Sequence, residues 1–262
     1  MAIFTLRAWL AHQWAARSLR GAGSDAVRDL AQQVLRRPPP AAAAPIEALR
    51  QRLYQDATLI EVLDLGAGPG RQGGGVRSVS LRRLARRSAC SPRKGAVLHR
   101  LVQYAAPQRP LELGTNLGLS AAYLASALTG CARLHSIEGA PALASRAQQH
   151  LQALSLPATV HTGDFAEVLT HTLPPAGYRP DFVYLDGNHR YAPTMAYLDR
   201  LIPHMPAGSW LVLDDLYWSP GMARAWRALC ARPEVSLSID LFWLGIVRLH
   251  APPHQGTYRL RW

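Results

Sequence analysis

Arg109-Pro-Leu-Glu-Leu-Gly-Thr-Asn-Leu-Gly-Leu-Ser120 is the stretch on which the reading of the chain turns. Leu111 to Leu113 is a short apolar run of the kind that forms a buried parallel strand. Gly114-Thr-Asn-Leu-Gly118 is a turn, and Leu119 to Leu128 reads as an apolar helix. A strand, a glycine turn and a helix start make a nucleotide-type pocket. Glycines let the backbone approach a ligand, and the first amides of a helix point outward without intrahelical partners. The spacing is Gly-x-x-x-Gly, not the Gly-x-Gly-x-x-Gly of dinucleotide sites, which argues against a nicotinamide dehydrogenase. Alone, such a turn is also ordinary α/β punctuation. Its weight comes from the acidic strand ends downstream of it.

Arg133-Leu-His-Ser-Ile137 is the next apolar run, and it ends in Glu138-Gly139. An acidic residue about 20 positions after a glycine turn, at a strand tip, suits the two hydroxyls of a ribose. Ala158 to His161 ends in Gly163-Asp164-Phe165, where a carboxylate can accept from an adenine amino group and a ring can stack on the base. Asp181 to Leu185 runs into Asp186-Gly-Asn-His189, and Ser209 to Leu213 into Asp214-Asp215. Carboxylates thus stand at the C-terminal ends of successive strands, the edge at which open α/β sheets bind ligands. Helices are expected at Lys94 to Ala105, Ala142 to Leu154, Ala192 to Ile202 and Pro220 to Ala231. Two last strands are expected at Val235 to Asp240 and Gly245 to Leu249. Pattern alone gives a doubly wound, mostly parallel α/β sheet.

This ordered series resembles the class I S-adenosylmethionine-dependent methyltransferases, most closely small O-methyltransferases of the catechol and caffeoyl-CoA type. The likeness covers about residues 94 to 250. Asp214-Asp-Leu-Tyr-Trp218 together with Ser238 to Val247 also looks like a bacterial branch of that superfamily. The resemblance implies a seven-stranded Rossmann-like sheet with an antiparallel insert as its last strand. Residues 94–262 would be the cofactor-binding domain and residues 1–93 a basic helical extension. It also implies that Glu112, Gly114, Thr115, Gly118, Ser120, Glu138, Gly139, Asp164 and Phe165 face S-adenosylmethionine, with Asp186 as a further contact to its ammonium.

Metal-dependent members place one ligand after the fourth strand and two after the fifth. The matching positions are Asp186, Asp214 and Asp215, so Mg²⁺ or another divalent cation is implied as an option. The last position is more often Asn in that family, and a third carboxylate raises the cost of the empty site. Where those members carry a lysine base, this chain has His189, whose near-neutral pKa suits proton removal from a hydroxyl. Tyr217 and Trp218 sit where members contact the acceptor. The bland readings are helix capping for Asp186, strand-end polarity for Asp214 and Asp215, a backbone-bonded turn for His189, and core packing for the two rings.

The charge is uneven. Residues 1–110 carry 18 lysines and arginines against 6 acidic residues, whereas residues 111–262 carry 11 of each. The whole excess of +12 therefore lies outside the catalytic-looking part. Ser78 to Ala89 reads as a helix with Arg82, Arg83, Arg86 and Arg87 on one side. A solvated basic face is the default, and a docking face for an acidic acceptor or nucleic acid is the alternative. No aromatics interleave with these arginines, so a nucleic-acid partner is possible but a small-molecule acceptor is favoured.

Met1 to Arg20 reads as a helix with Ile3, Leu6, Leu10 and Trp14 at helical spacing. The default is packing of that stripe on the domain or on a second subunit, which leaves a homodimer open. An anionic membrane surface is the alternative. Arg7 interrupts the apolar core that a secretory signal needs. Ser24 is an N-cap candidate for a second helix to Arg37, Pro38 to Pro45 a stiff spacer, and Ile46 to Asp56 a third helix. No apolar run reaches the length of a transmembrane segment. Cys90, Cys131 and Cys230 are widely spaced, which fits a reducing cytoplasm and no zinc framework.

Asp64-Leu-Gly-Ala-Gly-Pro-Gly70 is a rival glycine loop. Pro69 and Gln72-Gly-Gly-Gly75 do not lead into a helix, and no strand with an acidic tip follows before Leu111. It is expected to be a hairpin or loop rather than the cofactor turn.

Overall fold

The computed structural model describes residues 2–18, 24–64, 75–172, 177–251 and 256–262. The chain forms two compact units. One is Arg37–Tyr178; the other joins Met1–Arg36 to Arg179–Trp262.

The first unit holds three parallel strands in the order β4 (Pro110–Leu113), β5 (Leu134–Glu138), β6 (Ala158–Thr162). Every residue of β4 is buried, as a short run without polar alternation requires. Between these strands lie α6 (Leu119–Ala125), buried along its whole length, and α7 (Pro141–Ala153). Before them comes α5 (Pro92–Ala105), capped by Ser91, whose Oγ accepts from Lys94 N, with Pro92 in its first turn. After β6 a short turn, α8 (Phe165–Glu167), widens into a π turn at Val168–Thr172.

The same unit contains α3 (Ala43–Gln55), β2 (Leu59–Asp64), β3 (Gly75–Ser80) and α4 (Leu81–Ser88). β2 and β3 pair antiparallel, so the expected hairpin forms. Residues 65–74 lie outside the described residues, and Gly66, Gly68 and Gly70 of the rival glycine loop with them. The helix expected from Ser78 begins only at Leu81, because Ser78 to Ser80 complete the ladder to β2. Leu81, Leu84 and Ala85 are buried, and the four arginines are exposed.

In the second unit the strand order is β1 (Arg17–Ser18), β11 (Gly256–Arg261), β9 (Val235–Asp240), β10 (Leu244–Leu249), β8 (Trp210–Asp214), β7 (Phe182–Leu185). β7 and β8 are parallel, and β10 is the antiparallel insert between β8 and β9. The seven expected strands are therefore all present, three in one unit and four in the other. β11, parallel to β9, and β1, parallel to β11, extend this unit's sheet beyond the expected set. Helices α9 (Tyr191–Leu201) and α10 (Pro220–Cys230) connect the strands. Ser219 caps α10 by accepting from Met222 N, with Pro220 at the first helical position. The fold is a mostly parallel, Rossmann-like α/β fold.

Two further helices belong to this unit. α2 (Asp25–Leu30) starts at Ser24, whose Oγ accepts from Val27 N at 3.2 Å, as the cap pattern predicts, and runs on as a π turn over Ala31–Leu35. α1 (Ala2–Ala15) forms within the expected span. Ile3, Leu6, Leu10 and Trp14, the stripe expected to pack on the domain or on a second subunit, are 71, 58, 54 and 92 % exposed, so it does not pack on this chain. The inner face is Thr5, His12 and the following Ala16.

Gly245 on β10 marks the tightest packing of this unit. A Cβ there would stand 2.6 Å from the Trp226 ring and 2.9 Å from a Leu216 methyl. Gly245→Ala is expected to cost about 1–3 kcal/mol through overpacking. Gly75→Ala, where a Cβ meets nothing within 4 Å, should be near neutral. Urea denaturation of both variants checks the contrast; equal midpoints would contradict this packing.

Candidate functional site

The glycine turn after β4 is held by backbone geometry that only certain residues adopt. Gly114 (φ 105°) and Gly118 (φ 83°) are left-handed, and Asn116 (φ 49°) joins them as the side chain best suited to that region. Gly114 N–H donates to Ile137 O at 2.9 Å, which ties the turn to β5. Gly118 also sits against Ala147 of α7, and a Cβ there would meet that backbone at 3.3 Å.

Beneath the turn runs a buried polar chain. Ser136 Oγ donates to Glu112 Oε2 at 2.5 Å, and Thr115 Oγ1 lies 2.5 Å from Ser136 Oγ. Glu112 and Ser136 are completely buried and Thr115 nearly so. Burial pushes the Glu112 carboxyl up to about 7, against the pull of the Ser120 and Ser136 hydroxyls, and the nearby Glu138 adds to the rise. Glu112 Oε1 is buried without a hydrogen-bond partner. The hydroxyls of Thr115 and Ser120 thus face the interior, and their route to a bound ligand is through the backbone.

Glu138, at the tip of β5, is set by the same turn. Its Oε2 accepts from Asn116 N at 2.8 Å and its Oε1 from Ala140 N at 3.0 Å. Burial raises its pKa, and these backbone amides oppose the rise. Each carboxylate oxygen accepts more than one hydrogen bond, so ribose hydroxyls are compatible with both amides. At the tip of β6, Gly163 N donates to Glu138 O at 3.0 Å. Asp164 Oδ1 caps α8, accepting from Ala166 N at 2.8 Å and Glu167 N at 3.4 Å. Phe165 is half-buried at the start of that helix. One unit therefore gathers Glu112, Gly114, Thr115, Gly118, Ser120, Glu138, Gly139, Asp164 and Phe165.

The second unit gathers the remaining candidates. The Tyr184 hydroxyl on β7 lies 2.9 Å from Asp214 Oδ2 and 3.2 Å from Asp186 Oδ2. Asp215 N donates to Asp214 Oδ1 at 2.9 Å. Asp214 is 2 % exposed, and Asp215 is left-handed at φ 50°. Among the described residues, no group of three or more His, Cys, Asp or Glu side chains could hold a metal ion. A divalent cation needs several oxygens converging on one open point. Here a phenol stands by both Asp186 and Asp214, and a backbone amide engages the latter's other oxygen. These residues do not fit a resident divalent ion.

His189 stands in the turn after β7. Its Nε2 is 3.7 Å from Asp186 Oδ1, within ion-pair range, and its Nδ1 is buried without a hydrogen-bond partner. Ser219 Oγ donates to His189 O at 3.0 Å and so couples this turn to the α10 cap. The Trp218 ring, 40 % exposed, lies 6.3 Å from the His189 ring. Tyr217 is used differently. It stacks on Phe242 at 4.9 Å and donates to Asp240 Oδ2 at 2.6 Å, so it packs the interior of the unit.

Three groups at these sites escape the sequence pattern. Tyr184 hides in the all-buried run Phe182 to Leu185, although a buried phenol usually needs a partner. Ser136 sits mid-strand. Asn116 looks like turn filler, and its left-handed preference is the one signal that could have marked it.

Residues 111–216 match the family model described as a methyltransferase domain. The fold is also that of solved O-methyltransferases. TomG from Streptomyces achromogenes, involved in tomaymycin synthesis and solved with SAM, is 24 % identical and aligns over 62 % of this chain and 82 % of its own, with a TM-score of 0.53. The O-methyltransferase from Bacillus cereus, solved with SAH, is 19 % identical over 85 % of this chain and 97 % of its own (TM-score 0.57). Cofactor-bound Rv0187 from MTB is 19 % identical over 87 % and 97 % (TM-score 0.59). No curated protein matches. Residues 111–216 are thus similar in sequence to a methyltransferase domain, and the fold is the one that these O-methyltransferases share.

Glu112 gives this site a pH signature. The folded state holds its proton up to about pH 7, whereas the ordinary value is 4.5. At this group the folded chain therefore holds more protons between those values, and the stability that Glu112 contributes falls as pH rises across that window, then levels off. The loss is on the order of 3 kcal/mol. Glu112→Gln should flatten it. Urea denaturation of both proteins across the window checks this; parallel pH profiles would show that Glu112 does not hold the proton.

Proposed function

We propose that the chain transfers a methyl group from S-adenosylmethionine to an oxygen of a small-molecule acceptor, without a resident metal. The observation that carries the cofactor half is Glu138, a carboxylate at the β5 tip held by the Asn116 and Ala140 amides beside the glycine turn. In this reading Glu138 receives the ribose hydroxyls. Gly114, Gly118 and Gly139 give backbone approach, with Glu112, Thr115 and Ser120 supporting from beneath. Phe165 stacks on the base and Asp164 faces its amino edge. That TomG and the Bacillus cereus enzyme were solved with SAM and SAH supports the same choice.

The bound sulfonium supplies an activated methyl group. The chain's own residues prepare the acceptor. Asp186 orients His189 by drawing on its Nε2–H, which leaves the unpartnered Nδ1 as the proton acceptor for a hydroxyl. As the acceptor oxygen bonds to the methyl carbon, the carbon–sulfur bond breaks, its electron pair stays on sulfur, and the hydroxyl proton passes to His189. Trp218 provides the exposed ring against which a flat acceptor can lie. Tyr217 acts as packing. The poor fit to a cation set by Tyr184 supports histidine base catalysis over an ion bridging Asp186, Asp214 and Asp215.

A second reading keeps the methyl transfer and takes nucleic acid as the acceptor. The exposed arginines of α4 favour it. It predicts strongly salt-dependent RNA or DNA binding that is lost when those arginines are replaced. The free cysteines fit a reducing cytoplasm. No described helix is long and apolar enough to cross a membrane.

Calorimetric titration of S-adenosylmethionine tests the first reading. Glu138→Ala should weaken binding at least about tenfold, since hydrogen bonds to a charged group are worth about 1.5–3 kcal/mol. Added Mg²⁺ should leave the affinity unchanged. His189→Gln should keep the affinity while lowering kcat on a phenolic acceptor about 10²–10⁴-fold. Unchanged affinity in Glu138→Ala would remove the cofactor assignment, and a gain with Mg²⁺ would restore the metal reading.

A further inference from the structure

Helix α1 is covered on one side and carries a bare apolar stripe on another. On the covered side Thr5 Oγ1 donates to Tyr217 O at 3.3 Å, and His12 is buried with Nε2 3.2 Å from Asp240 Oδ1. These contacts fix the helix to its unit. On the other side Ile3, Leu6, Leu10 and Trp14 stand in one stripe, and Trp14 is 92 % exposed. The stripe runs about 16 Å at 1.5 Å per residue. A bare apolar face of this kind marks an interaction surface.

The surrounding charge identifies the occupant. Residues 2–18 contain Arg7 and Arg17 and no acidic residue, and both arginines are exposed. β11, against which α1 packs and with which β1 pairs, adds exposed Arg259 and Arg261 and again no acidic residue. Asp240, the carboxylate that α1 touches, is 3 % exposed and already takes contacts from His12, Tyr217 and Arg259. Arg259 already pairs with Asp240 on the covered side, so the charge of the helix segment itself is that of Arg7 and Arg17. A second copy docked stripe to stripe would bring Arg7 and Arg17 against their own counterparts, with no carboxylate in residues 2–18 to neutralise them. An anionic bilayer surface matches both features. Its acyl boundary receives leucine, isoleucine and tryptophan, and its phosphates receive arginine.

We propose that α1 lies in the plane of an anionic lipid bilayer surface, with Ile3, Leu6, Leu10 and Trp14 inserted and Arg7 and Arg17 on the headgroups. The docking is peripheral, since no described helix is long enough to span. Flotation of the full chain with phosphatidylcholine vesicles, with and without phosphatidylglycerol, tests it. The chain should float with the anionic vesicles only, and Leu10→Glu or Trp14→Glu should weaken partitioning about tenfold while the thermal melt stays unchanged, because both side chains face outward. Arg7→Glu should weaken it as well. Three results would overturn the proposal: no flotation with anionic vesicles, flotation insensitive to Leu10→Glu and Trp14→Glu, or a dimer in equilibrium sedimentation that Leu10→Glu separates.

Discussion

A carboxyl group buried at the end of β4 sets the terms for much of the first unit. Glu112 is wholly enclosed, and an enclosed carboxylate is costly unless it is bonded or protonated. Both remedies are present. Ser136 on the neighbouring strand donates to it, Thr115 of the glycine turn meets Ser136, and burial pushes the group toward its neutral form. The consequence is mechanical as much as electrostatic. The chain of hydroxyls links strand, neighbouring strand and turn, so the turn's amides point where Glu138 needs them. Asn116 N reaches Glu138 because the left-handed residues at 114, 116 and 118 fold the loop over that support.

The second unit meets the same constraint with different donors. Asp214 is nearly as buried, and it is satisfied by the Tyr184 phenol and by Asp215 N. Asp240, a third enclosed carboxylate, takes Tyr217, His12 and Phe242 N. Burial would raise its pKa, but those hydrogen bonds outweigh the effect and hold it below the usual range. Because His12 comes from α1, this carboxylate also anchors the N-terminal helix. Strand-end acids in this protein are thus structural joints first, and only those whose oxygens keep room for further partners can serve a ligand.

That distinction explains what the sequence could and could not reveal. Strand tips and helix starts were legible because their signals are local: apolar runs, left-handed glycines, and Ser-Pro caps at residues 91–92 and 219–220. The order of acidic tips was equally plain. Which face of α1 is covered was not legible, because periodicity finds an apolar stripe but not what covers it, and the face that packs carries Thr5 and His12. β11 was missed because Gly256 to Arg261 carries three polar residues in six and becomes a strand only by pairing with β9. The roles of Tyr217 and Trp218 were interchangeable on paper. Three-dimensional partners separate them, since Tyr217 reaches a buried acid and Trp218 stands exposed beside the His189 ring.

The poor fit of the β7 and β8 tips to a cation follows from one side chain. Two carboxylates drawn close at adjacent strand ends repel each other, and a cation or a hydrogen-bond donor must stand between them. Tyr184 supplies the donor from within β7, at 2.9 and 3.2 Å from the two acids. With that place taken by a phenol, Asp186 has its other oxygen turned toward His189. The second nitrogen of that imidazole, Nδ1, is buried without a hydrogen-bond partner. Asp215, in place of the Asn of the metal-dependent pattern, adds a third acid to this cluster and raises the cost of leaving it without a cation. The Tyr184 phenol and the Asp215 backbone amide offset part of that cost by bonding Asp214.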